Sequence, residues 1–112
     1  MVEIPTAVTF NDFKRLDLRI AKIISAEPHP SADRLYVLKV DIGSEQKQLV
    51  AGLKGHYELS ALVGKSVVIV NNLQPAVLRG VESQGMLLAA QDGEKVVVLI
   101  PDQEVSPGAQ VL

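Results

Sequence analysis

Cysteine and tryptophan are both absent from this chain of 112 residues. Without cysteine the chain can form no disulfide, no zinc–thiolate site and no cysteine nucleophile, and an intracellular setting is favoured. Aromatic residues make up only 4% of the chain, so the core must be built from Val, Leu, Ile and Ala. The same scarcity disfavours a binder of single strands that stacks bases on aromatic side chains.

Candidates for catalysis or metal binding are also missing. His29 and His56 lie far apart without metal-ligand spacing, and His29 is predicted to be an ordinary loop residue between two prolines. The sequence shows no Ser/His/Asp arrangement, no glycine-rich phosphate loop before a helix and no paired carboxylates in an apolar setting. The first residues do not resemble a signal peptide, and no apolar run approaches the ~20 residues of a membrane span. We therefore predict a cytoplasmic, non-catalytic protein with no metal, no cofactor and no membrane partner.

Charge is distributed unevenly along the chain. The net charge is −2, yet residues 14–54 carry eight basic and five acidic side chains, whereas residues 55–112 carry three basic and six acidic ones. The middle of the sequence can thus present a basic face although the whole molecule is acidic.

The hydrophobic pattern predicts an all-β domain. Strands are predicted at 16–26, 35–42, 46–51, 66–70, 85–90 and 96–100, with a short helix capped by Thr9, a helical turn at 57–63 and a hairpin turn at Asp92-Gly93. A three-stranded meander, a helix and a closing hairpin are typical of an OB-fold, a five-stranded Greek-key barrel. An SH3-like barrel is the main alternative, which the helix before the fourth strand disfavours. We expect one domain over residues 1–112, with the barrel at about 10–100 and a tail at 101–112.

The segment from Asn71 to Met86 is long and shows neither a strand nor a helix period. Connections of this length in compact domains are usually functional or disordered. Its glycines, proline and polar side chains favour an ordered contact surface. Arg79 can offer a bidentate fork to a phosphate, and Met86 can pack against a base or sugar, although core filling is its commoner role.

Strand parity suggests where other cations lie. Arg19 and Lys39 occupy the polar faces of the first two strands, so the pattern predicts that they share one outer surface. Lys47 and Arg34 could extend that surface. The alternative is that all of these are ordinary solvating charges.

Several motifs in a fixed order resemble the tRNA-binding OB domain family, which occurs as a C-terminal appendix of methionyl-tRNA synthetases, in synthetase-associated factors and as small free-standing proteins. The resemblance covers about Phe10 to Leu112. The matching segments are Asp17–Ile23, His29–Tyr36, Val50–Leu53, Asn72–Pro75 and Arg79–Ala90.

The resemblance implies a homodimer that binds tRNA by its shape without reading an anticodon. It also allows for a synthetase catalytic domain in the same chain as a partner. It implies that the dimer is held by Phe10–Arg15 and the tail after Pro101, although a barrel-capping role of the tail is equally open. The residues it implicates in tRNA contact are Arg19, Arg34, Lys39, Lys47, Asn72, Arg79, Ser83 and Met86.

One segment departs from the family pattern, because Gln74, Ala76 and Val77 stand where members often carry basic residues. Fewer phosphate contacts mean weaker binding by an isolated domain, with a salt slope of only about −2 to −4 per protomer. A chaperone-like branch of the same family, which binds unfolded peptides, is the alternative function. A pure dimerisation module with an incidental basic face is a third.

Overall fold

A five-stranded antiparallel sheet, curled into a nearly closed barrel, dominates the computed structural model, which describes residues 6–112. In chain order the elements are α1 (Phe10–Lys14), β1 (Leu18–Pro28), β2 (Tyr36–Asp41), β3 (Gln46–Ala51), α2 (Leu59–Leu62), β4 (Ser66–Val70), β5 (Ala76–Leu78), β6 (Val81–Ser83), β7 (Met86–Leu87), β8 (Ala89–Asp92) and β9 (Lys95–Val98). The barrel sheet has the order β3-β2-β1-β4-β7. The predicted all-β, OB-like fold is confirmed.

The barrel interior is aliphatic, as the composition predicts. Its largest fully buried side chains are Ile23, Leu38, Leu49, Leu53, Leu62, Ile69, Val40 and Val67. They come from β1 to β4, from α2 and from the turn before α2, so the short helix closes the interior where the strands leave it open. A core of branched aliphatic residues suits strands whose side chains alternate between the interior and the outer face.

Side-chain and backbone bonds close the barrel between β3 and the segment after β6. The Gln84 amide donates to the Gln48 carbonyl oxygen at 2.8 Å, and the Gln48 amide donates to Gln84 Oε1 at 2.8 Å. Ser83 Oγ accepts from the Val50 amide at 3.0 Å and donates to the Gly85 carbonyl oxygen at 2.9 Å. A Cβ on Gly85 would lie 2.8 Å from the Val70 carbonyl oxygen, so only glycine fits between the closing strands.

The long segment contains a hairpin, so its predicted lack of strands is wrong. Strands β5 and β6 pair antiparallel with Leu78 opposite Val81. Arg79 and Gly80 form the two-residue loop with φ of 53° and 87°, as a type I′ turn requires. Arginine is a poor residue for its first position, which asparagine, aspartate or glycine normally fills, and the sequence therefore lacked the usual turn signal.

A β-bulge at Ile24 changes which side chains of β1 face the core. Ile23 pairs with Val40 and Ser25 pairs with Lys39, which leaves Ile24 without a partner in the register. Before the bulge, Ala21 and Ile23 point into the barrel, and after it Ala26 does so beside Leu38. One inserted residue moves every following side chain to the other face.

The end of the tail is part of the barrel. The Gly108 amide donates to the Ile20 carbonyl oxygen at 2.7 Å, the Ile20 amide donates to Ala109 at 2.8 Å, and the Val111 amide donates to Leu18 at 2.8 Å. The tail thereby pairs with β1 where β2 has ended and covers Leu18 and Ile20, whose side chains are buried. It fills the barrel-capping role that the sequence had left open.

Other predicted boundaries shift by a few residues. Thr9 caps α1 as predicted, since its Oγ1 accepts from the Asp12 amide at 3.1 Å. The last hairpin turns at Gly93-Glu94 because Asp92 pairs with Lys95, and the predicted strand at 85–90 is divided into β7 and β8. No helix within residues 6–112 has the length and apolar character needed to span a membrane.

Candidate nucleic-acid interface

A polar cluster lies at one rim of the barrel and joins β1, β3 and the residues after β4. We call Asp17, Arg19, Lys47, Asn71 and Asn72 the rim cluster. Arg19 Nε donates to Asp17 Oδ1 at 2.6 Å, and Asn71 Nδ2 donates to Asp17 Oδ2 at 2.9 Å. Lys47 Nζ donates to the Asn71 carbonyl oxygen at 2.9 Å. The side chain of Asn72 makes two hydrogen bonds: its Oδ1 accepts from the Asp17 backbone amide at 2.8 Å, and its Nδ2 donates to the Arg15 carbonyl oxygen at 2.7 Å. These bonds link α1 to the barrel.

The rim cluster lowers the pKa of the Asp17 carboxyl below its ordinary value. The hydrogen bond from Asn71 is the largest cause; partial burial opposes it, and Arg19 and Lys47 add to the lowering. Each of these donors or cations favours the carboxylate over the neutral acid. Because the folded pKa is depressed, the charged form stabilises the fold above the unfolded pKa, and this stabilisation is lost as pH falls through the folded pKa.

We expect Asp17→Asn to lower the free energy of unfolding at pH 7 by about 1 kcal/mol, since hydrogen bonds to a partly exposed charge are lost. At pH 3 the difference between variant and wild type should shrink, because this pH lies below the ordinary aspartate pKa of 3.8 and the unfolded wild-type chain then takes up the proton. Urea denaturation at both pH values measures this. An equal difference at both would contradict a charged role for Asp17.

Arg19 is held inside the rim cluster and against the tail. It pairs with Ile69, a core residue, and its Nη1 donates to the Gly108 carbonyl oxygen at 3.1 Å. Lys39, by contrast, pairs with Ser25 and Gln48 on the outer face. The predicted common surface of Arg19 and Lys39 is therefore wrong, because the bulge at Ile24 reverses parity between them.

Lys47 and Asn72 belong with Arg19 rather than with Lys39. Lys47 pairs with Val40, whose side chain is in the core, so the aliphatic part of the Lys47 side chain follows the inner face of the sheet to the rim. The oxygen and the nitrogen of the Asn72 side chain both form hydrogen bonds with backbone groups of this chain. The polar atoms of these residues are engaged in holding the barrel rim, α1 and the tail together.

Arg34, Lys39 and Arg79 are exposed cations on the loop before β2, on β2 and at the hairpin tip; we call these three residues the loop–hairpin face. Lys39 Nζ donates to Gln48 Oε1 at 3.0 Å, and Gln48 Nε2 donates to the Glu82 carbonyl oxygen at 2.9 Å, which connects β2 and β3 to the hairpin. Arg79, at the hairpin tip, donates from Nη2 to the Ser31 carbonyl oxygen at 3.1 Å.

Arg34, the third cation of the loop–hairpin face, lies in the loop between β1 and β2. It follows Ser31 by three residues and borders, with Asp33, Lys54 and His56, a hollow of about 530 Å³. Among residues 6–112 neither Arg34, Lys39 nor Arg79 forms an ion pair. Exposed cations without carboxylate partners keep their full charge available for an anionic ligand.

Ser83 and Met86 differ in accessibility. Ser83 is only 5% exposed, and its hydroxyl is occupied in barrel closure, so its predicted contact with tRNA is not compatible with its position. Met86 is 46% exposed on β7 opposite Val70, so it does not fill the core and its contact with RNA stays a prediction. Gln48 and Gln84, which the sequence analysis did not single out as site residues, connect the hairpin to β3.

Residues 18–110 match the family model described as "Putative tRNA binding domain". The chain belongs to this tRNA-binding domain family. The resemblance stated from the sequence motifs is thus confirmed. A methionine–tRNA ligase from Thermococcus kodakarensis is 61% identical over 104 residues, which is 93% of this chain but only 14% of that enzyme. The chain therefore spans about one seventh of the length of such relatives.

Solved structures of similar domains agree with this assignment. The MetRS-related protein from Pyrococcus horikoshii has a TM-score of 0.90 at 31% identity, with 96% of this chain and 100% of that chain covered. The chaperone CsaA from Bacillus anthracis has a TM-score of 0.86 at 30% identity, with coverages of 96% and 100%. The chain is thus similar both to a protein named for a synthetase and to a protein named as a chaperone.

Proposed function

We propose that this tRNA-binding domain is a non-catalytic module that contacts the sugar–phosphate backbone of tRNA through the loop–hairpin face, without anticodon specificity. The observation that carries the proposal is that Arg34, Lys39 and Arg79 are exposed and that hydrogen bonds connect Lys39, through Gln48, to the hairpin whose tip carries Arg79, in a chain of this family. Guanidinium and ammonium groups bind phosphate oxygens whatever the base sequence. Such contacts report the shape of a folded RNA.

The aromatic residues support reading of the backbone rather than of bases. Tyr36 is buried and its hydroxyl donates to the Tyr57 carbonyl oxygen at 2.9 Å, while the Tyr57 hydroxyl accepts from the Val98 amide at 3.1 Å. Phe10 and Phe13 lie on α1, which Asn72 joins to the rim cluster. The loop–hairpin face, as defined by its three cations, includes none of the Phe and Tyr side chains of residues 6–112, which disfavours base stacking there.

A second copy of the chain is the proposed partner for α1. Val8, Phe10, Phe13 and Leu16 are 70%, 73%, 42% and 46% exposed, and α1 buries none of its residues. Apolar side chains grouped this way usually mark an interface. The end of the tail pairs with β1 of its own chain, so its proposed share of the dimer rests on its exposed residues, Val105 and Leu112.

Dimerisation would offset weak binding by each protomer. Three exposed cations supply about three phosphate contacts, which give a shallow salt slope and modest affinity. Two linked faces raise the effective concentration of the second contact. Attachment to the catalytic body of a methionine–tRNA ligase, as a C-terminal appendix in the cytoplasm, would have the same effect, and we propose this as the parent context.

Sedimentation of fluorescently labelled tRNAs at low salt tests the proposal. We expect several unrelated tRNAs to bind with affinities within about threefold of one another, because the contacts are to the backbone. The free protein should sediment with twice the chain mass. Strong preference for one tRNA species would contradict backbone recognition, and a monomer would contradict the dimer.

Peptide binding is the alternative function, and one structural feature favours it. Val77 and Leu78 on β5 are 69% and 39% exposed, directly before Arg79, and the similar protein from Bacillus anthracis is named as the chaperone CsaA. An apolar edge strand can bind an extended peptide. Suppression of aggregation of an unfolded client, without any tRNA binding in the same sedimentation assay, would select this function.

A further inference from the structure

His29 is buried although it lies in a loop between two prolines, with a side chain only 6% exposed. Its Nδ1 accepts hydrogen bonds from the Ser31 amide at 3.0 Å and from the Ala32 amide at 3.1 Å. A ring nitrogen that accepts carries no proton, so the neutral ring has its proton on Nε2. Nε2 therefore donates to the Leu78 carbonyl oxygen, 2.9 Å away in the hairpin.

The acceptor of this bond lies directly before Arg79. Two further hydrogen bonds join the loop after β1 to the hairpin tip. Arg79 Nη2 donates to the Ser31 carbonyl oxygen at 3.1 Å, and Ser31 Oγ donates to the Arg79 carbonyl oxygen at 3.3 Å. Of these links, only the one from His29 is made by a buried side chain. It is thus the contact least weakened by water.

The hairpin needs such a link to keep a fixed direction. Strands β5 and β6 have three residues each, and every residue of β5 is exposed. A short two-stranded hairpin is marginally stable in water by itself. The base of this hairpin is held by Gln48 and Ser83, whereas its tip contacts the loop that contains His29.

We propose that His29 is a positioning residue for tRNA binding: its Nε2–H bond to Leu78 fixes the hairpin tip and so holds Arg79 on the loop–hairpin face. This role rests on the proposed function, because Arg79 must contact the RNA. A cation held in place before binding loses less conformational entropy when it meets a phosphate. His29 itself does not touch the RNA.

The substitution His29→Asn isolates the link. Asparagine Oδ1 can accept the amides two and three residues ahead, as in an Asx turn, so the loop keeps its local bonds. The side chain is too short to reach Leu78, so only the bond to the hairpin is lost. Gln91→Asn is the control for a shortened side chain, because Gln91 is exposed on β8, which pairs with β9 and not with the hairpin of β5 and β6.

We expect His29→Asn to weaken binding of a labelled tRNA by about three- to tenfold, similar to Arg79→Ala, and to reduce the salt slope by about one unit. The double variant should bind no more weakly than Arg79→Ala alone, since both changes remove the same contact. Gln91→Asn should match wild type. Losses that add in the double variant, with an unchanged salt slope in His29→Asn, would overturn the positioning role.

NMR relaxation of the Arg79 and Gly80 backbone amides tests the hydrogen bond between His29 and Leu78 without RNA. We expect these amides to become mobile on the nanosecond timescale in His29→Asn and to stay rigid in Gln91→Asn. A rigid tip in His29→Asn would overturn the link itself. A mobile tip together with no tRNA binding by the wild type would overturn the proposed function, and the positioning role with it, while the link would stand.

Discussion

Gly108→Ala should lower the free energy of unfolding by about 3–4 kcal/mol, the largest single-residue effect that we expect on stability. A Cβ at Gly108 would overlap the Ile42 carbonyl oxygen, and its φ of +90° disfavours any side chain. To relieve the overlap the tail must move away from β1. It would then lose its backbone bonds to Ile20 and Leu18 and expose both apolar side chains. Urea denaturation at fixed protein concentration measures the change.

Gly55→Ala is the matched control for this effect. Gly55 has a φ of +91°, but a Cβ there would meet nothing within 4 Å. The control therefore carries only the backbone penalty of about 1 kcal/mol. The extra loss of unfolding free energy in Gly108→Ala, relative to Gly55→Ala, measures how much the docked tail stabilises the barrel. Equal losses in the two variants would show that the tail contributes nothing to the stability of the barrel.

The fold was predictable because its strands repeat simple patterns. Strand β3 and β4 have the predicted bounds, and β2 differs by one residue at each end, since alternating or continuous aliphatic runs end at glycine or polar turns. The local sequence pattern could not reveal that the tail pairs with β1. The tail's bonds to β1 join residues about ninety positions apart, and its few apolar residues have no period.

The candidate site was predictable by residue type but not by placement. Arg34, Lys39 and Arg79 are exposed, whereas Arg19, Lys47 and Asn72 serve the rim cluster and Ser83 closes the barrel. The bulge at Ile24 is the main reason, because parity read along an uninterrupted strand places Arg19 on the wrong face. No residue type at Ile24 signals a bulge, so only the register against β2 reveals it.

His29 was predicted to be an ordinary loop residue, and here the sequence analysis missed a structural role. A histidine between prolines reads as a loop residue, and it is one, yet its ring is buried and both nitrogens are bonded. Its partner in the hairpin lies 49 positions away in the sequence. Local reasoning finds the loop, and only the three-dimensional arrangement shows what the ring holds.

Removing the three cations of the loop–hairpin face should have the largest effect on tRNA binding. We expect the triple variant Arg34→Ala, Lys39→Ala, Arg79→Ala to bind tRNA more weakly by about 3–4 kcal/mol, or a few hundredfold, because each cation loses one charged contact to phosphate. The slope of log K against log salt should become shallower by about two to three units, since fewer counterions are released. Fluorescence anisotropy over a salt series measures both quantities.

A second triple variant separates local contacts from net charge. Lys22→Ala, Lys65→Ala, Lys95→Ala lowers the net charge of −2 by the same three units, but the three lysines lie outside the loop–hairpin face. Long-range attraction alone would weaken tRNA binding equally in both variants, with similar slopes, because the total charge is the same. Direct contact predicts near wild-type binding in this control and a large loss in the other. If the two variants bind alike, phosphates do not dock on Arg34, Lys39 and Arg79, and recognition must lie on another face of the barrel.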